Sequence, residues 1–200
     1  EVDVFDPNEG YGAGPAVNYL RDQTGTYRID VAATSWQPDA PTVHRLETVS
    51  GLHNPLALAN YDTYYWAVGY RGSSLYNFLN VRFLITDKDT PAADSTFVPV
   101  FDEDPDVDVY LNTNSQPRIS LIYKPILVSD SAAAFDAIHA KDFDPRQEVV
   151  LENGNALPPR TDGESKLYYT RRTSLEQTIV AMTPSPAYLV LSEVWYPGWI

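Results

Sequence analysis

Apolar and polar residues alternate along this chain in short runs, and the runs change character midway. After Pro15, which suits a first helical turn because its missing N–H costs nothing there, Ala16, Val17 and Leu20 form a short apolar stripe. Thr24-Gly25 closes that helix, and Tyr27-Arg-Ile-Asp-Val31 alternates as a strand. Residues 36–42, with Pro38 and Pro41, read as loop, and Val43-His-Arg-Leu-Glu-Thr-Val49 alternates again before Ser50-Gly51. Residues 55–68 carry Leu56, Leu58, Tyr61, Tyr64, Tyr65 and Val68 at three- and four-residue spacing, which predicts a helix with an aromatic face. Ser73 or Ser74 can cap a further short helix through Leu75, Phe78 and Leu79. It leads into Val81-Arg-Phe-Leu-Ile-Thr86, a run apolar enough for a strand covered on both faces.

Residues 87–95 are polar with Pro91, and they mark the expected boundary. Strands dominate beyond it: 97–101, 108–111, 118–123 and 126–128, the first two joined as a hairpin by the acidic turn at 102–106. One helix follows, capped by Ser129 or Asp130 and stopped by Asp142-Phe-Asp-Pro145. Then come strands at 148–151 and 166–172, and an imperfectly alternating run at 174–182 that turns at Pro184-Ser-Pro186 to pair with 188–194. In that last strand Leu189, Leu191 and Val194 face a core. The organisation read from this pattern is a linker at 1–14, an α/β subdomain at 15–94 and a β-rich subdomain with one helix at 95–200. The fold class is α+β, an N-terminal α/β-type half followed by a β-sandwich-like C-terminal half.

A formal charge of −13 argues against nucleic acid as a partner, because phosphate binding needs a basic surface. No window reaches the ~18 apolar residues of a membrane span. The absence of cysteine removes disulfides, thiolate catalysis and thiolate-held zinc.

Candidate chemistry is sparse. Asp102, Glu103, Asp104, Asp106 and Asp108 resemble a calcium loop, but Val107 stands where the EF-hand turn needs glycine and Thr113 where it needs a carboxylate, so a solvated hairpin turn is expected. His44, His53 and His139 are too scattered to share a metal, and no serine sits on a strand-to-helix elbow. No catalytic residue, metal ligand or cofactor site follows from these patterns. Aromatic side chains are the enriched class. Trp36, Tyr64, Tyr65, Trp66, Trp195 and Trp199 are the candidate binding residues, since an aromatic face packs against the apolar face of a pyranose; core packing, or an aromatic belt at a membrane surface, is the competing use.

The run Tyr188-Leu-Val-Leu-Ser-Glu-Val-Trp-Tyr-Pro-Gly-Trp-Ile200 is apolar without a polar tail, and reads as the end of a domain cut from a longer protein. With Leu75-Tyr-Asn-Phe-Leu-Asn-Val-Arg-Phe-Leu-Ile-Thr86, and with Val109-Tyr-Leu-Asn112 followed by Pro117-Arg118, it resembles the last extracytoplasmic domain of the YfhO-like family of polytopic bacterial membrane proteins. The likeness covers roughly residues 15–200 as scattered short motifs. It implies a location on the extracytoplasmic face of the cell membrane, as part of a multi-span glycosyltransferase using a lipid-linked sugar. Its catalytic acids would lie outside this segment. The implied partners are the transmembrane part of the same protein and a cell-envelope glycan, and the implied role is to help position the acceptor. A carbohydrate- or protein-binding module with no enzymatic partner is the other reading left open.

Overall fold

Proline, glycine and a distant carboxylate fix the first helix. In the computed structural model, which describes residues 11–37, 39–50, 58–195 and 198, helix α1 spans Pro15–Arg21. Its N-cap, Gly14, has no side chain to offer. Asp104 replaces it from 88 positions away, its Oδ2 accepting the Ala16 N–H at 2.9 Å. The chain forms two units, one built on the residues up to Gln116 and one spanning Pro117–Trp195.

The first unit is a four-stranded sheet in the order β1-β2-β4-β3. Strand β1 (Arg28–Val31) runs parallel to β2 (Val81–Asp87), while β4 (Val107–Asn112) is antiparallel to both β2 and β3 (Phe97–Phe101). Between β1 and β2 the described residues form α2 (Ala40–Val43), α3 (Ala59–Ala67) and α4 (Ser74–Phe78). Ile29, Phe83, Ile85, Val107 and Val109 pack with Ala16 and Leu20, while Val81, Leu84 and Phe97 pack with Val49, Tyr76 and Leu79. Apolar cover on two sides explains the unbroken apolar run in β2.

The acidic hairpin joins β3 to β4 as the pattern predicts, but β4 pairs with β2. The division therefore falls between Gln116 and Pro117 and not at 87–95. The stretch 36–42, expected as loop, runs into the single turn of α2, which takes Pro41 into its first turn, and the expected strand at 43–49 does not form: Val43 ends α2 and Arg45 follows at φ 59°. Only Thr48 retains strand character, in an isolated parallel bridge to Ile29. The aromatic helix is α3, and Tyr61, Tyr64 and Tyr65 pack against the second cluster; positions 55–57 of the predicted helix lie outside the described residues. Ser73 caps α4, its Oγ accepting the Tyr76 N–H at 3.1 Å. Of the expected linker, residues 1–10 lie outside the described residues as well.

The second unit contains β5 (Ile119–Ile122), β6 (Lys124–Leu127), α5 (Ser131–Ile138), β7 (Glu148–Leu151), β8 (Lys166–Arg172), β9 (Gln177–Met182) and β10 (Tyr188–Leu191). Asp130 caps α5, accepting the Ala133 N–H at 2.9 Å. The strands form three pairs: β10 with β5 and β8 with β9, both antiparallel, and β6 with β7 parallel across α5. The α+β class with a β-rich portion holds. The expected pairing of 174–182 with 188–194 does not, because β8 takes β9 as a hairpin and β5 takes β10. Leu189, expected in a core, is 40% exposed. Polar contacts tie this unit together: Arg118 donates to Glu193 from Nε at 2.7 Å and from Nη2 at 3.2 Å, and the Ser192 N–H reaches the Arg118 carbonyl at 2.8 Å.

Candidate functional site

A buried carboxylate in β1 marks the site. Alternation along β1 sends Ile29 and Asp30 to opposite sides, and helices cover the side Asp30 takes, so its side chain is only 3% exposed. A buried carboxylate requires partners. Arg71, in the turn between α3 and α4, donates from Nε to Asp30 Oδ2 at 2.7 Å, and the Tyr76 hydroxyl on α4 donates to the same oxygen at 2.7 Å. The turn is held for this purpose. Gly69 adopts φ 83°, and the Ser73 hydroxyl, besides capping α4, donates to the Val68 carbonyl at 2.6 Å. A Cβ at Gly72 would meet the Asp94 carboxylate, which would have to move aside.

Asp30, Gly69, Arg71 and Tyr76 line a cleft of about 550 Å3. Tyr65, Trp66 and Tyr70 stand at its wall and rim, with Trp66 77% and Tyr70 65% exposed. Tyr65 and Trp66 meet edge to face at 5.6 Å, and the Trp66 indole N–H is held by Asp62 Oδ1 at 3.1 Å. Leu84 and Phe97 supply apolar backing. Thr86 adds a buried hydroxyl with no hydrogen-bond partner among the described residues. Both bonds to Asp30 fall on Oδ2, and among the described residues no donor reaches Oδ1.

Electrostatics follow from this burial. The Tyr76 phenol is pushed far above its ordinary range, first by burial and then by the adjacent Asp30 charge. Tyr65 moves the same way for the same two reasons. Burial alone would lower Arg71, but its hydrogen bond to Asp30 and the charge of that carboxylate outweigh it, and its pKa is raised. The arrangement therefore holds a fixed ion pair, a neutral phenol and an open acceptor under an aromatic edge.

Of the six aromatic residues singled out by sequence, Tyr65 and Trp66 line the cleft. Tyr64 turns inward, its hydroxyl on the Leu75 carbonyl at 2.8 Å, and Trp36 packs against the cluster around Ile29 and Phe83. Trp195, 71% exposed, belongs to the second unit, and Trp199 lies outside the described residues. Pattern reading passed over Asp30, Tyr70, Arg71, Tyr76 and Thr86. The available signal was an aspartate in Arg-Ile-Asp-Val, and an arginine set between tyrosine and glycine. The acidic hairpin is also more structural than its pattern implies. Asp104 and Asp108 are buried, the latter receiving Lys88 Nζ at 2.8 Å and the Asp89 N–H at 3.0 Å. Among the described residues no three His, Cys, Asp or Glu side chains are placed to hold a metal, and no helix is long and apolar enough to cross a membrane. No family model, curated protein or solved structure matches the chain.

Proposed function

We propose that this chain is an extracytoplasmic, acceptor-positioning domain of a multi-span membrane protein of the YfhO-like type, accessory to a glycosyltransferase that uses a lipid-linked sugar. Its cleft in the first unit holds a cell-envelope glycan. The observation that carries the reading is the exposed Trp66 and Tyr70 edge beside a cleft containing a buried Asp30–Arg71 pair. Apolar aromatic surface together with a few fixed polar groups is the chemistry a pyranose ring requires of its binder. The membrane setting rests on the sequence resemblance and supplies the reason for a glycan in the cleft.

Affinity electrophoresis of the purified chain through gels containing neutral polysaccharides tests this. The parent is retarded by at least one of a mannan, a galactan or a glucan, and Trp66→Ala weakens that retardation about tenfold, as the loss of a stacking platform should. In the intact membrane protein the same substitution raises the KM for acceptor and leaves kcat unchanged. A parent chain that migrates freely through every gel, or a Trp66→Ala variant retarded as strongly as the parent, refutes the reading.

A further inference from the structure

Open hydrogen-bonding groups in the cleft narrow what it takes. Among the described residues Asp30 Oδ1 has no donor, the Arg71 Nη1 and Nη2 groups have no partner, and the buried Thr86 hydroxyl is unpaired. All three residues line the one cavity of about 550 Å3, within the ~300–1,000 Å3 range of small-ligand sites. An unpaired buried hydroxyl is costly, and of the three hydroxyls in that state among the described residues, those of Thr86, Thr96 and Tyr169, only that of Thr86 belongs to a residue lining the cleft, where a ligand could supply the partner. The charged residues of the lining are Asp30, Arg71 and Asp94, two carboxylates against one guanidinium.

From these observations we infer that the cleft is specific for one uncharged sugar unit, read through a pair of adjacent ring hydroxyls by Asp30 and Arg71 and through a further hydroxyl by Thr86. This rests on the glycan reading of the cleft. Vicinal hydroxyls present a donor and an acceptor side by side, and a carboxylate beside a guanidinium presents the complementary pair. Asp30 Oδ1 accepts one hydroxyl, an Arg71 Nη donates to its neighbour, and the Thr86 hydroxyl exchanges a bond with a third. The excess of carboxylate in the lining excludes uronates and phosphorylated sugars. Trp66 and Tyr70 cover the apolar face.

Calorimetric titration with the methyl glycosides of glucose, galactose and mannose, and with methyl glucuronide, tests the assignment on the whole chain. At least one neutral glycoside binds, and the uronide does not. Thr86→Val keeps the shape of the side chain and removes the unpaired hydroxyl, so it melts at the same temperature as the parent or higher while its affinity falls at least tenfold. Thr86→Ser restores the hydroxyl and returns affinity to within about threefold. Unchanged affinity in Thr86→Val, or preference for the uronide, overturns the assignment. When either result accompanies polysaccharide retardation that Trp66→Ala abolishes, only the hydroxyl readout fails. Absence of any retardation by the parent overturns the glycan reading and this inference together.

Discussion

Replacing Tyr76 with phenylalanine isolates one hydrogen bond to a buried charge. The ring of Tyr76 is 2% exposed and lies edge-on to Phe97 at 6.4 Å, so Tyr76→Phe keeps the apolar packing around Val49, Leu79 and Leu84. It deletes the 2.7 Å bond to Asp30 Oδ2 and leaves that oxygen to Arg71, whose side chain is 47% exposed. A hydrogen bond to a charged group contributes about 1.5–3 kcal/mol, and here the acceptor stays buried, so a loss of about 2 kcal/mol is expected. Urea-dependent amide exchange of Leu84 and Ile85 in β2 reads this loss within the first unit. The pH dependence gives a second readout. Tyr76 has a folded pKa raised above the unfolded value of 10.0, so above that pH the unfolded chain has released a proton that the folded one keeps. Stability from this group is complete below pH 10 and declines as pH rises, by about 1.4 kcal/mol per pH unit. Phenylalanine has no such proton, so the gap between parent and variant narrows from pH 9 to pH 11. A loss under about 0.5 kcal/mol, or a gap that stays constant across those pH values, would show that Tyr76 does not support Asp30.

Asp104→Ala removes the side chain that caps α1, and should cost about 1–2 kcal/mol, whereas Asp104→Asn keeps an acceptor and should recover more than half; thermal melts of the three proteins decide. In the second unit, Glu193→Gln leaves Arg118, with a side chain only 4% exposed, without its carboxylate partner, and a loss of about 3–5 kcal/mol is expected from breaking a buried pair. Amide exchange in β5 and β10 should accelerate accordingly, and unchanged protection there would show that the pair contributes nothing net.

Local chemistry was legible in the sequence wherever it was sufficient to form an element. The run at 81–86 gave β2, Ser73 gave the start of α4, and Asp130 gave the start of α5. What remained hidden depends on partners distant along the chain. Period-two alternation says that a strand has two faces but not which strand lies beside it, so β3 and β4 were read as a hairpin and placed in the wrong half. Alternation likewise could not reveal that helices cover Asp30; on an open sheet the same residue would face water. Asp104 looked like one member of a solvated acidic turn because the Ala16 N–H it caps lies 88 positions earlier. Aromatic enrichment did reach the cleft through Tyr65 and Trp66. It also selected Trp36, since composition carries no position.

The polar residues of the first unit divide by whether the fold itself satisfies them. Asn112 donates to Asn77 Oδ1 at 2.8 Å and to the Val81 carbonyl at 3.0 Å, Asn80 donates to the Gln116 carbonyl at 2.8 Å, and in the second unit Arg118 is closed by Glu193. Each of these residues is engaged in holding its own unit together. Substituting them should first destabilise, because a buried polar group without its partner is costly. Asp30 Oδ1, the Arg71 Nη groups and Thr86 differ: burial or charge calls for partners that the described residues do not provide. Burying the Thr86 hydroxyl without a partner costs stability that a valine would not, and a ligand hydroxyl is the contact that would return it. That is why a substitution which strengthens the empty protein and weakens its hold on a sugar is the sharpest discriminator between a binding cleft and an imperfectly packed core.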